Sequence, residues 1–364
     1  MQTVAAFTDT YLPTVNGVTY TVRTWRDRWE ARGGLMGVVY PAADYEPAAR
    51  EYPVSSVPFP FYPGFRFGAP SIPAAAGEID PDVVHAHTPF TLGLAARRLA
   101  RGREIPLVVS YHTPAREYAN YLSEAFAGGI SRLADRYERW FFGQADAVVV
   151  PSATAATRLR TAGTPTHVVS NGVDVDRFRP AAADAVAAFR NRYDIPDGPL
   201  VGYTGRHGYE KRLEDLLAAT ESLDVTVALA GDGPARSTLE ARATDREAVR
   251  FLGFLDREEL ATFYSALDVF AFPSPVETQG LVALEAIACG TPVVALDSGA
   301  LSESVTDAEN GYHYQPGDID GFAAAIGRAL DEQAVLEARC VDGRQNLSVG
   351  RSIERLAEVY DAVT

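Results

Sequence analysis

Lys211 is the only lysine among 364 residues; the other 32 basic side chains are arginine. It lies in "GRHGYEKRLEDLL" (205–217), five residues after Arg206, across a turn containing Gly208 and ahead of a helical pattern. A strand that ends in Gly205-Arg206 and continues through such a turn brings a fork-shaped cation and a compact one onto one diphosphate. Lysine binds phosphate as a point charge, and arginine is not a conservative replacement there. A leftover surface lysine is the plainer reading, but phosphate chemistry gives a reason for its survival at this position.

A second pattern is "SPVETQGLVALEAIACGTPVV" (274–294). A strand ends near Ser274, and a helix is expected from Gly280 to Cys289-Gly290, with Pro292 preventing continuation. The helix start presents amide N–H groups at Gly280 and Leu281 to an anion. Glu285 is the only charged residue between Gly280 and Gly290. Buried on so apolar a helix it needs a partner, such as ligand hydroxyls; on a wet face it is an ordinary solvated carboxylate. Glu277, eight residues earlier, falls in the preceding turn.

These side chains require strands and helices to hold them. Continuous apolar runs recur at 3–9, 35–40, 82–87, 107–112 and 146–152, then at 200–205, 225–231, 249–253, 268–274 and 292–296. Unbroken rather than alternating runs fit strands buried on both faces, and helical patterns between them imply parallel βαβ sheets. Two such sets imply two doubly wound domains, with ligands at the carboxyl ends of the strands. Turn signals at 170–184 mark the boundary, and 352–363 reads as a closing amphipathic helix.

Charge divides along the same line. The chain carries −15 overall, yet residues 1–170 have 16 arginines against 15 acids, while residues 171–364 have 17 basic residues against 33 acids. The acid excess and near-absence of lysine fit a high-salt cytoplasm, where negative charge maintains solubility. Cys289 and Cys340 form no framework or metal spacing, and the six histidines no ligand cluster, which points to a reducing compartment. Met1 leads directly into an apolar strand with no basic leader, and no run of 18 apolar residues would span a membrane. Asp174 and Asp176 read as turn chemistry, Gly231-Asp-Gly233 as an incomplete phosphate loop, and His85 and His87 as non-ligands.

Taken in order, "FTDTYLPTVNGV" (7–18), "NGVDVDRF" (171–178), "GRHGYEKRLEDLL", "LAGDGP" (229–234), Glu277-x7-Glu285 with Gly280 between, and "SGALSESVTDAENG" (298–311, with Ala300 in place of a glycine) resemble the landmarks of the retaining glycosyltransferases of family 4. The resemblance spans nearly the whole chain. It implies the α/β GT-B fold: two Rossmann-like domains facing across a cleft, here 1–170 with a crossing helix at 350–364, and 171–349. It also implies a nucleotide-sugar donor, UDP- or GDP-linked, with no cofactor and no metal. By position, Arg206 and Lys211 would hold the diphosphate, Glu285 the ribose and Glu277 the sugar. Gly17 would let the backbone approach the phosphates, and His112 in "SYHTP" would sit at the reacting sugar.

In such a fold the N-terminal domain takes the acceptor. "ISRLADRYERWFF" (130–142) places Arg132, Arg136 and Arg139 beside Ile130, Leu133, Tyr137 and Trp140, a basic amphipathic helix able to lie on an anionic membrane with Trp140 and Phe141 inserted. An apolar face turned to the core is the ordinary alternative. Arg97, Arg98, Arg101 and Arg103 form a second basic cluster, and 59–68 is aromatic and proline-rich. "NGV" near the start, 110–121 and 277–286 look most similar to members acting on membrane lipids, although Asn171 stands where those often carry arginine. The expected acceptor is thus a lipid or lipid-linked sugar, and the expected place the inner face of the cell membrane, bound peripherally, with no nucleic-acid partner. Two other readings stay open: a family-4 enzyme with a soluble acceptor, and a GT-B epimerase or noncatalytic nucleotide-sugar binder.

Overall fold

A computed structural model describes residues 1–59, 66–74, 76, 79–112, 127–159 and 163–364, without the side chains of 127–131. Most of the aromatic segment 59–68, residues 113–121 of the "SYHTP" stretch and the Ile130 side chain therefore lie outside the described residues. The chain forms two compact units, Met1–Gly172 with Val349–Thr364, and Val173–Ser348.

In the first unit the strands are β1 (Thr3–Phe7), β2 (Leu35–Pro41), β3 (Glu51–Val54), β6 (Val83–Ala86), β7 (Leu107–Ser110), β8 (Ala147–Val150) and β9 (Thr166–Val168), with a separate antiparallel hairpin of β4 (Ser56–Pro58) and β5 (Arg66–Gly68). The sheet runs β3-β2-β1-β6-β7-β8-β9, with each pair parallel. Its helices are α1 (Gly17–Ala31), α2 (Thr91–Arg103), α3 (Ala127–Phe142), α4 (Ala153–Leu159) and the C-terminal α13 (Val349–Val363). Successive strand residues point to opposite faces. Val4 and Ala6 accordingly join a core with Trp25, Trp29 and Tyr360, whereas Ala5 and Phe7 join one with Leu92, Phe141 and Phe142. Helix α13 belongs to this unit because Ile353, Leu356, Val359 and Tyr360 form one buried stripe against α1.

The second unit holds β10 (Leu200–Thr204), β11 (Thr226–Ala230), β12 (Val249–Gly253), β13 (Val269–Phe272), β14 (Val293–Leu296) and β15 (Gly311–Tyr314), in the order β12-β11-β10-β13-β14-β15 and parallel throughout. Helices α5 (Ala183–Arg192), α6 (Leu213–Ala219), α7 (Arg236–Arg242), α8 (Arg257–Ala266), α9 (Leu281–Ala288), α10 (Leu301–Ser304), α11 (Ile319–Asp331) and α12 (Gln333–Gly343) accompany it. Apolar periodicity does not announce β3, β4, β5, β9 and β15. All are short, β3, β9 and β15 lie at sheet edges, and β3 carries Pro53, which an edge tolerates. Asp174 and Asp176 do form a turn, the Asp176 N–H donating to Asp174 Oδ1 at 3.3 Å.

Candidate active site

Strand order reverses in the second unit between β10 and β13, where an open parallel sheet leaves a crevice at its carboxyl edge. The loops leaving those two strands carry the residues singled out from the sequence. After β10, Gly205 and Arg206 lead into a single 3-10 turn, Tyr209–Lys211. After β13, residues 273–279 carry Glu277 to Gly280, the left-handed residue (φ 78°) that starts α9. A side chain at Gly280 would meet that backbone cost as well as Leu301 Cδ2 at 2.7 Å, so glycine is required there. The Leu281 N–H follows at the first turn of α9, before intrahelical bonding begins.

Lys211 Nζ lies 2.5 Å from Glu277 Oε1, with side chains only 19% and 14% exposed. Burial opposes the lysine charge, but Glu277, Tyr203 and Glu210 together outweigh it and lift the ammonium above the ordinary lysine range. Arg206 pairs with Glu210 at 3.0 Å. Lys211, Glu277, Glu210 and Arg206 all act electrostatically on the hydroxyl of Tyr203, which burial pushes above its ordinary range. A carboxylate offers about four lone pairs, so Glu277 has capacity for ligand hydroxyls while it steers the ammonium.

Glu285 is buried on α9, where two protein groups approach its carboxylate. Tyr264 donates to Oε2 at 2.9 Å, and Arg257 Nη2 approaches Oε1 at 3.8 Å. Burial pushes this carboxyl above its ordinary range, against the pull of Arg257 and the Tyr264 hydroxyl. Neither Tyr264 nor Arg257 stands out in the sequence, because "REELATFYSA" reads as an ordinary helix. The glycines of "AGDGP" serve packing: the 231–233 turn rests against 205–207, and His207 exchanges backbone hydrogen bonds with Asp232 and Ala235, each 2.8 Å.

The N-terminal unit has its own reversal, between β1 and β6. Asp9, just after β1, is buried and accepts from the hydroxyls of Thr88 (2.6 Å) and Thr91 (2.7 Å) and from the Leu92 N–H (3.0 Å), locking the loop to the start of α2. Gly17 opens α1 behind the Asn16 cap. His112, just past β7, is buried with two further histidines. His87 Nδ1 lies 3.1 Å from His112 Nε2, and His85 stacks on His87 at 4.1 Å. His85 contacts the Tyr360 hydroxyl (2.6 Å) and the Ser110 hydroxyl (2.8 Å). Among the described residues no group of His, Cys, Asp and Glu is arranged to hold a metal ion.

Burial lowers all three histidines, His85 to about 3, His112 to about 4 and His87 well below its ordinary value, with mutual repulsion adding to the effect at His85 and His87. Below the ordinary value of 6.5 the unfolded chain takes up protons that the folded one refuses. Stability is therefore full above pH 6.5 and falls as the pH drops towards 4. Three such groups should cost the unit about 4 kcal/mol between pH 7.5 and 5.5. Trp25, Trp29 and Trp140 all lie in this unit, so urea unfolding followed by tryptophan fluorescence reports on it directly. Equal midpoints at the two pH values would contradict the buried neutral histidines.

The acceptor-side prediction needs a correction. Phe141 is fully buried and packs against Phe142, so it belongs to the core and cannot insert into a membrane. The buried side of α3 runs through Glu138, Phe141 and Phe142, whereas Leu133 is 68% and Trp140 44% exposed. Arg132, Arg136 and Arg139 are exposed, and the Arg97 guanidinium lies 5.3 Å over the Trp140 ring.

Residues 15–177 match the family model Glycosyltransferase Family 4, and residues 186–346 match Glycosyl transferases group 1. The GDP-mannose-dependent alpha-mannosyltransferase of Mycolicibacterium smegmatis is 32% identical over 341 residues, 90% of this chain and 87% of that protein. The chain belongs to glycosyltransferase family 4. The alpha-monoglucosyldiacylglycerol synthase of Streptococcus pneumoniae is 30% identical over 347 residues, covering 90% of this chain and 78% of that protein. The match to sulfoquinovosyl transferase SQD2 of Arabidopsis thaliana, 30% identical over 317 residues, covers 84% of this chain and 59% of the relative. Solved structures establish the GT-B fold: sucrose-phosphate synthase from Thermosynechococcus elongatus superposes with a TM-score of 0.82 at 23% identity (100% and 99% covered), and Anabaena Alr3699/HepE with UDP-glucose at 0.74 and 21% (100% of each). This family-4 glycosyltransferase has, among the described residues, no helix long and apolar enough to cross a membrane.

Proposed function

We propose that this glycosyltransferase moves a hexosyl group from a UDP- or GDP-linked sugar to a hydroxyl of a membrane lipid or lipid-linked sugar, with retention of configuration and without a required metal. The Lys211–Glu277 pair beside Arg206 carries the reading. Arg206 and Lys211 take the diphosphate, with the Leu281 N–H and the first turn of α9 adding donors. Glu277 orients the sugar hydroxyls and Glu285 takes the ribose. Gly17 offers the phosphates a backbone without a side chain, and His112 lies at the sugar. As the bond from C1 to the phosphate oxygen breaks, the acceptor oxygen bonds to C1 on the same face, and its proton passes to the departing diphosphate. Cations fixed where charge develops on that diphosphate lower the barrier without reorganising during the step.

The lipid half rests on α3. Leu133 and Trp140 lie two turns apart on one exposed stripe beside three exposed arginines. In about 1 M salt the Debye length falls to about 3 Å, so contact depends on short-range arginine–phosphate pairs and apolar insertion. Relatives named for glucosyldiacylglycerol synthesis and sulfoquinovosyl transfer point the same way. Such an enzyme works peripherally at the inner membrane face.

The test incubates the protein with anionic vesicles and a panel of nucleotide sugars, following products by mass spectrometry and the new linkage by its NMR coupling. An α-linked glycolipid is expected; a β linkage from an α donor removes the retaining assignment, and transfer only to free sugars establishes a soluble acceptor. Replacing Arg132, Arg136 and Arg139 with glutamate should release the protein from vesicles even in high salt and leave donor binding intact. Continued flotation of the variant, or none by the wild type, removes the membrane reading.

A further inference from the structure

We propose that His207 is a positioning residue of the donor site: as a neutral ring protonated at Nε2 it fastens the Arg206–Lys211 loop to the carboxyl end of β11, and so holds both cations in place for a diphosphate. This rests on the reading above that Arg206 and Lys211 bind the donor.

Arg206 is flanked by two attachments to one atom. The carbonyl oxygen of Ala230, the last residue of β11, accepts from the Gly205 N–H at 3.2 Å and lies 3.2 Å from His207 Nε2. A carbonyl oxygen has two lone pairs, so it can serve both. The His207 backbone donates its N–H to the Asp232 carbonyl and accepts from the Ala235 N–H, each at 2.8 Å. Beyond it, the Gly208 carbonyl accepts from the Lys211 N–H at 3.0 Å, which closes the turn that carries the lysine. A continuous set of bonds thus runs from β11 through His207 to Lys211.

The two ring nitrogens fix the protonation state. A carbonyl oxygen only accepts, so Nε2 carries the proton. Nδ1 is buried and has no hydrogen-bond partner among the described residues. On a neutral ring it is an unused lone pair; a second proton there would be a buried donor without an acceptor, the rarest kind of unsatisfied group. Burial, joined by the Arg236 charge, holds the ring below its ordinary range against the pull of the Ala230 carbonyl, Asp232 and Glu240.

Any residue can make the two backbone bonds, but the bond to Ala230 needs this side chain. The ring is fully buried, 6.4 Å from the Tyr203 ring, whose hydroxyl donates to the Arg206 carbonyl at 3.4 Å. A leucine would fill this space without donating, and would leave the Arg206 side of the loop attached to Ala230 only through the Gly205 N–H. Glutamine can place an amide N–H near the Nε2 position. Asparagine reaches only the Nδ1 position, where no bond is made.

Long-range 1H–15N correlation spectra of protein labelled at its six histidines read the tautomer at pH 7.5, with His207 assigned by the signals lost in His207→Gln. A proton on Nε2 and a bare Nδ1 are expected; a proton on Nδ1 overturns the proposal. Titration calorimetry with UDP and with GDP reads the positioning. His207→Leu and His207→Asn should weaken binding of the nucleotide that the wild type takes by about fivefold or more, and His207→Gln should stay within about twofold of the wild type. Wild-type affinity in a folded His207→Leu protein overturns the role, as does a His207→Gln protein that binds no better than His207→Leu. If the leucine variant does not fold, the contrast between asparagine and glutamine decides. A wild type that binds neither nucleotide overturns the donor-site reading and the positioning role with it, while the spectrum, taken without ligand, still decides whether His207 is the anchor.

Discussion

Lys211→Ala should lower kcat/KM by roughly 10- to 150-fold, the loss of a charge-assisted bond of about 1.5–3 kcal/mol where negative charge develops. The effect has two parts. One cation leaves the proposed diphosphate site, and Glu277, 14% exposed and 2.5 Å from the ammonium, loses its partner. An uncompensated carboxylate there repels the donor it was placed to orient. Lys211→Arg distinguishes charge from shape. Charge is retained, but a planar fork cannot occupy the place of a point charge held 2.5 Å from Glu277 in a largely buried pair. Steady-state kinetics should therefore show the arginine variant impaired as well; full activity would mean that the chain's one lysine survives for another reason.

Gly231→Ala should destabilise the C-terminal unit by about 3–5 kcal/mol. Gly231 has φ 112°, which L side chains rarely adopt, and an added Cβ would lie 2.0 Å from the Gly205 carbonyl oxygen. The obstructing atom is backbone, on the strand end that leads to Arg206 and Lys211, so relief must come from moving the site itself. Scanning calorimetry should show the melting temperature of this unit falling by about 10 °C. Gly327→Ala provides the control: Gly327 lies within α11 with nothing inside 4 Å of its added Cβ, so the change should be neutral or stabilising by up to about 1 kcal/mol. Similar losses in both variants would show that glycine content, rather than the 205–231 approach, sets the stability.

Much of this protein is legible before folding. The apolar runs that became β1, β6, β7 and β8 and then β10, β11, β13 and β14 are continuous because both faces of each strand are covered, a constraint that acts on every residue and so leaves its mark on every residue. Gly280, Glu277 and Glu285 are recognisable because a helix start at a strand's carboxyl end fixes their spacing along one short segment. The sequence likewise isolates Lys211 as the one cation that was not exchanged for arginine.

Pairing across long separations is different, since nothing local constrains it. Glu285 is visibly in need of a partner, but only the packing of α8 against α9 supplies Tyr264, 21 residues away. The three histidines are single letters in three places: His85 and His87 are two residues apart, only the parallel pairing of β6 with β7 brings His112 beside them, and only the packing of α13 brings Tyr360 onto His85. Helix α3 shows the same limit in reverse. Its sequence offers several apolar residues as a buried stripe, and an amphipathic pattern does not say which of them meets the core. The sequence by itself determined the inner strands of the two sheets and singled out the residues proposed to bind phosphate. Tertiary packing alone decided that Phe141 is core while Leu133 and Trp140 face outward, because burial depends on the partner surface and not on the residue.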